Sequence, residues 1–315
     1  MHAPGIRLPS SLARWRPADV GQLLGAASRG AGLRSAATPP DASHYHQGLR
    51  SILRTEKRQV SLKGKVAIIT GGGAGIGRGI AEKFAVQQAD VAVIDVNQKG
   101  AEEVVREIGA SGGSAAAFVA DVSDAKSVAG MVEQVLGKLG RIDILVNNAG
   151  IRYIRPFAEH GEDEWRRTLD VNLTGAFLCA KAVVPAMMRS GKGKIVNVSS
   201  VAGYIGRPNR VAYCASKGGL IAFTKALAVD MRGRNIYVNA LAPALIETPF
   251  NAGFTGNTEL AQVWGKETII GRWGHPAEVA EAALFLASDA SDFITGTVVT
   301  VDGGWTSAMV RATEC

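Results

Sequence analysis

Five glycines in seven residues, Gly71-Gly-Gly-Ala-Gly75-Ile-Gly77, follow the apolar run Val66-Ala-Ile-Ile-Thr70 without a spacer. A short run rich in β-branched residues predicts a strand, and Arg78-Gly-Ile-Ala-Glu82 after the glycines opens a helical pattern. Few folds let a buried strand turn through glycines straight into a helix; the first turn of a doubly wound parallel sheet does. The same alternation continues downstream. Apolar runs at 90–95, 114–119, 142–146, 194–198, 237–241 and 297–301 are separated by segments of helical period. Strands this uniformly apolar are covered on both faces. The expected fold is therefore α/β, a Rossmann-like, doubly wound, seven-stranded parallel sheet in a single domain over residues 59–315. No repeat of solenoid period is visible.

Charge narrows the choice of partners once it is divided along the chain. The 315 residues carry a net charge of +7, but residues 1–60 hold nine Lys and Arg against three acids. The rest, 26 basic and 25 acidic residues, is nearly neutral, so the globular part lacks the basic surface that nucleic acid requires. No continuous apolar run approaches the roughly 18 residues that span a membrane. Residues 1–58 are rich in Arg, Ser, Ala, Gly and Pro and poor in acids. They read as a disordered leader, either an organellar transit peptide or the product of a start codon set too far upstream. A transit peptide implies a mitochondrion or plastid; otherwise the cytoplasm is expected. Cys179, Cys214 and Cys315 show neither paired nor metal-ligand spacing and suit a reducing compartment. The five histidines are scattered, and no metal is expected.

In a doubly wound sheet, ligands bind at the carboxyl ends of the strands. The glycine turn there lets backbone approach a pyrophosphate, whose charge meets amide N–H groups and the helix N-terminus. The key positions are Gly71, Gly75, Ile76 and Gly77. The second strand ends at Asp95, 18 residues beyond Gly77, where a carboxylate would accept from adenosine ribose hydroxyls and repel a 2′-phosphate. NAD is the expected cofactor, with Arg78 as the one nearby cation that tempers the choice. Asp121, beside Val122 at the third strand end, suits an adenine amino group. The small residues of Asn148-Ala149-Gly150 at the fourth leave room for backbone to meet the cofactor.

Taken together, Thr70-Gly-Gly-Gly-Ala-Gly-Ile-Gly77, Asp121, Asn147-Asn-Ala-Gly150, Asn172 in Asp-Val-Asn-Leu, Ser200 in Asn-Val-Ser-Ser-Val-Ala-Gly, and Tyr213 with Lys217 stand in a specific order. From about Val60 to Thr306 the chain resembles the short-chain dehydrogenase/reductase family. The resemblance implies a catalytic tetrad of Asn172, Ser200, Tyr213 and Lys217. It also implies contacts from Tyr213, Lys217, Pro243, Ile246 and Thr248 to the nicotinamide half of the cofactor. One departure is the loop after the sixth strand, which usually reads Pro-Gly and here reads Pro243-Ala244.

The expected reaction is hydride transfer between NAD(H) and the CH–OH or C=O group of a small sugar, polyol, hydroxy acid or cyclic alcohol. A free phenol has a pKa of about 10, and a cation beside it lowers that value towards useful acid/base work. Of five tyrosines only Tyr213 has Lys four residues on, one helical turn away. Ser200 would steady the substrate oxygen. By the same resemblance, the Asn172 carbonyl would hold a water linking Lys217 to solvent, while Asn is also a favoured helix cap. Arg152, Val201, Ala202 and Arg210 are expected to line the substrate pocket, along with Ile151, Tyr153, Arg207 and Asn209, under a lid at 248–274. The arginines suit a carboxylate or polyhydroxylated ligand, but a solvated or interface role, where Arg is common, is the reading preferred on sequence. Two alternatives are a dinucleotide-binding regulator without turnover and an epimerase or dehydratase on the same fold. The resemblance also implies a homotetramer.

Overall fold

The computed structural model describes residues 60–255 and 258–307; the leader at 1–58 and Cys315 lie outside them. Element order is β1 Val66–Thr70, α1 Gly75–Val86, β2 Asp90–Asp95, α2 Gln98–Ala110, β3 Ser114–Val119, α3 Ala125–Leu139 and β4 Ile144–Asn147. A helical run follows: α4 Glu162–Leu169, a π-turn Asp170–Thr174 and α5 Gly175–Ser190. The remainder is β5 Gly193–Val198, α6 Val211–Asp230, β6 Ile236–Pro243, α7 Ala252–Thr255, α8 Thr258–Lys266, α9 Pro276–Ala287 and β7 Val298–Val301. The seven strands form one parallel sheet in the order β3-β2-β1-β4-β5-β6-β7. The order reverses between β1 and β4, which opens a crevice beyond their carboxyl ends.

Period-two alternation sends successive strand residues to opposite faces, and both faces are buried. Ala67 and Ile69 of β1 join Phe84, Val104, Val196 and Leu284 on one side. Val66 and Ile68 join Met131, Val135, Val183 and Met187 on the other. Strand limits differ from the sequence expectation by one or two residues. Ile142 and Asp143 precede β4 because the Asp143 carboxylate is already committed, accepting the Val66 N–H at 2.9 Å and an Arg141 N–H at 2.8 Å. β6 extends to Pro243 because β7 pairs with it that far.

The run Glu162–Ser190 is, among the described residues, one helix long and apolar enough to cross a membrane, which the continuous-run criterion missed. Half of its most apolar window is buried, and α5 packs on α3, β4 and β5, as a covering helix of an α/β layer must.

A buried polar chain locks α6 onto the sheet. Asn147 Nδ2 donates to Asn197 Oδ1 at 2.9 Å, Asn197 Nδ2 donates to Thr224 Oγ1 at 2.9 Å, and Thr224 Oγ1 donates to the Leu220 carbonyl at 2.8 Å. All of these side chains are 5 % exposed or less, so a broken link strands a donor or acceptor away from water. An unsatisfied buried group costs about 1–3 kcal/mol. Asn197→Val is therefore expected to destabilise the protein by about 1–3 kcal/mol, Asn147 keeping only its 3.3 Å bond to the Ala176 carbonyl and Thr224 only its bond to Leu220. A urea midpoint unchanged from wild type would contradict this account of how α6 is held.

Candidate active site

The strand ends bring nearly all of the expected residues to one cavity of about 420 Å³. Its wall runs from Gly71, Gly75, Ile76, Asp95, Asp121 and Val122 on the β2/β3 side to Ser200, Tyr213, Lys217, Pro243, Ile246 and Thr248 on the other. Asn148, Ala149 and Gly150 stand between them, and Arg152, Val201, Ala202 and Arg210 close the far end. Gly77, Asn172, Tyr153 and Asn209 are not on the wall.

Gly77 is excluded because its place is behind the turn. A Cβ there would stand 2.1 Å from the Gly71 carbonyl oxygen and 2.5 Å from Asn148 Nδ2. The β1 turn and the β4 turn touch at this point. Asn148 Nδ2 donates to the carbonyls of Thr70 and Gly71 at 3.0 and 2.9 Å. Thr70 Oγ1 accepts the N–H groups of Asn148 and Ala149 at 3.0 and 3.1 Å. Asn148 thus spends its side chain tying two loops together. Gly71 and Gly75 take positive φ, 61° and 56°, and α1 starts at Gly75 with no side chain capping it. Free amide N–H groups at the start of a helix, on a glycine turn open to the cavity, fit a pyrophosphate.

Asp95 is held by backbone: its Oδ2 accepts from Gly73 N–H at 3.0 Å and Oδ1 from Asn97 N–H at 2.9 Å. Arg78 turns to α1 and α2 and pairs with Glu82 at 2.7 Å and also with Glu107 and Glu103. Asp121 has a partner the sequence did not disclose, Arg167 at 3.0 Å. The Ser123 hydroxyl and Arg167 hold the Asp121 carboxyl below its ordinary range against the opposing effect of burial.

At the other end, Ser200 leads a single 3-10 turn, and its Oγ accepts the Ala202 N–H at 3.1 Å. Its hydroxyl donates to the Pro243 carbonyl at 3.4 Å, and Ser200 stands near enough to the Tyr213 phenol to lower its pKa. Tyr213 and Lys217 lie one turn apart on α6, with Lys217 Nζ 5.8 Å from the tyrosine ring centre. The expectation that Lys217 lowers the phenol pKa meets a different geometry. Lys217 Nζ donates to the Val198 carbonyl at 2.8 Å, and burial pushes its pKa down to about 8. Burial likewise pushes Tyr213 up, while Ser200, Arg152 and Arg210 pull it back. Ser199, also missed, donates its hydroxyl to the Lys217 carbonyl at 2.8 Å and pins α6 to the end of β5.

Asn172 caps nothing. It sits inside the π-turn, where the Gly175 N–H bonds back to the Asp170 carbonyl five residues before. π-Turns inside α-helices often mark functional sites. Its side chain clamps Ile151, accepting the N–H at 2.8 Å and donating to the carbonyl at 2.9 Å, and also donates to Ser216 Oγ at 3.0 Å. Ser216 in turn donates to the Tyr213 carbonyl at 2.8 Å. The departure at Ala244 carries no backbone strain, since Ala244 is not among the residues with positive φ.

Segment 248–274 covers the cavity with aromatics. Phe254 stacks on Trp264 at 4.8 Å and Trp264 on Trp273 at 6.4 Å. Trp273 and Trp305 were not foreseen as lining residues; Trp273 is anchored through Nε1 to the Ala261 carbonyl at 2.8 Å. Thr248 lies against the glycine turn, 3.3 Å from where a Gly75 Cβ would stand. No group of three or more His, Cys, Asp or Glu among the described residues could hold a metal ion. Cys179 is fully buried, its thiol pushed up to about 12, and packs as a small apolar residue.

A glycine-lined strand-end crevice joined to a buried Ser200 and Lys217 beside a half-buried Tyr213 defines a class of α/β protein built to hold a dinucleotide. Comparison with known proteins agrees. The family model described as enoyl-(acyl carrier protein) reductase matches residues 71–306. The 3-oxoacyl-[acyl-carrier-protein] reductase of Thermotoga maritima is 42% identical over 248 residues, covering 77% of this chain and 98% of the relative. The D-threitol dehydrogenase of Mycolicibacterium smegmatis is 40% identical over 245 residues, covering 78% and 94%. A crystal structure of a gluconate 5-dehydrogenase from Burkholderia cenocepacia, in complex with NADP and tartrate, superposes with a TM-score of 0.76 at 38% identity, covering 79% and 98%. The chain belongs to the short-chain dehydrogenase/reductase family of oxidoreductases.

The depressed Lys217 pKa makes a stability prediction with a definite sign. An ordinary lysine keeps its proton to 10.5, whereas folded Lys217 releases it near about 8. Between those values the unfolded chain binds more protons, so this group's contribution to stability rises with pH. At about 1.4 kcal/mol per tenfold change in proton affinity, the change amounts to about 3 kcal/mol. Relative to Lys217→Met, wild type should gain about that much between pH 7 and pH 10.5 in urea unfolding. A difference that stays constant across this range would show that Lys217 is not depressed.

Proposed function

We propose that the protein is an NAD(H)-dependent enzyme acting on the CH–OH group of a small secondary alcohol, or on the matching ketone, with Tyr213 as the acid/base. The observation that carries this reading is the convergence, in one cavity, of Ser200, Tyr213 and Lys217 with the open glycine turn. A nicotinamide dinucleotide, when bound, supplies the hydride acceptor for oxidation and the donor for reduction. Gly71, Gly75, Ile76 and the α1 amides would hold its pyrophosphate, and Asp95, Asp121 and Val122 its adenosine. Asn148, Ala149, Gly150, Pro243, Ile246, Thr248 and Lys217 would flank its nicotinamide half.

The chain's own residues do the proton work. In oxidation Tyr213 takes the hydroxyl proton of the substrate at its phenolic oxygen; in reduction it returns one to the carbonyl oxygen. Ser200 holds the substrate oxygen beside the phenol and fixes the reacting geometry. Burial keeps Tyr213 protonated at neutral pH, the form that reduction needs. Lys217, anchored on the Val198 carbonyl, would replace the proton that Tyr213 spends. Asn172 acts on the site by holding the Ile151 backbone and, through Ser216, the first turn of α6. Its carbonyl is proposed to hold the water that links Lys217 to solvent.

Tyr213→Phe should retain NADH binding, read by fluorescence titration, and lose at least about 100-fold in kcat, the contribution typical of a positioned acid/base. Wild-type turnover in this variant would remove Tyr213 from the chemistry.

The choice of NAD rests on Asp95, whose carboxylate is fixed at the adenosine end, and on Arg78, whose charge is spent on three glutamates. Weighing against it, the Burkholderia relative holds NADP. A preference for NAD over NADP of at least about tenfold in kcat/KM is expected, equivalent to about 1.4 kcal/mol of repulsion. Equal values for the two cofactors would refute the assignment.

A further inference from the structure

The substrate end of the cavity holds three arginines that form no ion pair among the described residues. Arg210 is 8 % exposed, and Arg152 and Arg207 are half-buried. None of the three takes part in a salt bridge among the described residues, although arginines elsewhere in the fold pair with Asp or Glu. Each is covered by aromatic faces instead. Arg152 lies 4.2 Å from the Phe250 ring centre and 5.3 Å from Phe254. Arg210 lies 5.3 Å from Phe254, and Arg207 lies 4.6 Å from Trp305 and 5.3 Å from Trp264.

Aromatic faces offset part of the cost of desolvating a guanidinium. They do nothing for its five N–H donors, which need acceptors in the plane of the group. The protein supplies few. Arg152 donates to the Phe250 carbonyl at 2.6 Å, and Arg210 makes a long contact of 3.4 Å with the Pro208 carbonyl. Buried polar groups are as a rule hydrogen-bonded, so the remaining donors are left for something in the cavity.

The electrostatics point the same way. Burial lowers the pKa of all three, Arg152 to about 10, and Arg152 and Arg210 are each lowered further by a neighbouring arginine. Glu267 raises Arg207 but is shared with Trp305, whose Nε1 donates to it at 3.2 Å. The acids that line the cavity, Asp95 and Asp121, stand at the ends of β2 and β3, across the switch point from β5 and α6. The Tyr213 ring is 6.1 Å from Phe250, the ring on which Arg152 rests. One small molecule can therefore reach both the phenol and the guanidinium.

We propose that the substrate is an anion: a hydroxylated acid or its keto form, with the carbinol at Tyr213 and its oxyanion received by Arg152 and Arg210, with Arg207 behind them. This deepens the proposed function and rests on it. A carboxylate or a phosphate monoester presents the same acceptors to a guanidinium fork. Because the arginines sit within the cavity under aromatic cover, they read a group on a small molecule rather than the surface of a carrier protein.

The test uses the holoenzyme and charge-matched pairs: threonate against threitol, gluconate against sorbitol, and sorbitol 6-phosphate as the phosphate arm. The expected result is a kcat/KM at least 100-fold higher for the anion of a pair than for its neutral partner. Arg152→Gln and Arg210→Gln should each cut that ratio at least tenfold, with Arg210→Lys falling between. A larger preference for the phosphate than for the carboxylates would assign the oxyanion to a phosphate monoester. Ratios near one, or ratios that the Gln variants leave unchanged, would overturn the proposal while leaving the dehydrogenase reading intact. If no compound turns over, quenching of tryptophan fluorescence decides. Saturable quenching by gluconate but not sorbitol, weakened at least tenfold in Arg210→Gln, would uphold anion binding in the cavity and remove these acids as substrates at Tyr213; no such quenching would sink the anion site.

Discussion

The contact on which this molecule depends is the meeting of two loops at the switch point, where the glycine turn after β1 lies against the turn after β4. Approach this close is available only without side chains. A Cβ on Gly71 would stand 2.9 Å from the Ala149 Cα, and one on Gly77 closer still to the Gly71 carbonyl. Asn148 and Thr70 fill the seam with hydrogen bonds. The seam, closed by the Asn148 and Thr70 side chains on backbone, fixes the α1 amides and Gly150 relative to one another. Preorganisation of this kind removes ordering costs from binding.

The second constraint is the burial of charge beside Tyr213. Lys217 and three arginines surround one cavity, and burial lowers the pKa of each. Such an arrangement costs stability, and the fold offsets it with local partners: the Val198 carbonyl for Lys217, aromatic faces for the arginines. Strongly perturbed groups converging in a cleft are characteristic of functional sites. The polar chain Asn147–Asn197–Thr224 and the Ser199 hydroxyl keep α6 from shifting under that load.

Much of the fold was legible because its signals are local and periodic. The alternation of β-branched runs with helical segments placed seven strands to within a residue or two, and most of the motif residues, Gly77 and Asn172 excepted, fell on one cavity wall because strand ends gather there. Partners distant in sequence were not legible. Nothing near Asp121 announces Arg167, and nothing near Lys217 announces the Val198 carbonyl. The Asn172 π-turn is a defect of helical pitch that composition does not encode; Trp273 reaches the cavity only because the segment at 248–274 folds back over it, and Trp305 only because the turn after β7 does. The expectation that Lys217 lowers the Tyr213 pKa came from sequence spacing, which sets how near two side chains can be but not where their polar atoms point.

By itself, then, the sequence determined the layered α/β architecture, the glycine turn and the identity of the residues at the strand ends, because each follows from hydrophobic period or from the steric needs of the backbone. The tertiary structure decided which charges are paired and which are not. Arg78 and Arg167 are neutralised by carboxylates brought from other elements, Glu103 and Glu107 for one and Asp121 for the other, while Arg152, Arg207 and Arg210 form no ion pair among the described residues. Pairing depends on through-space distance and on the loss of water, and neither is set until the chain has closed on itself.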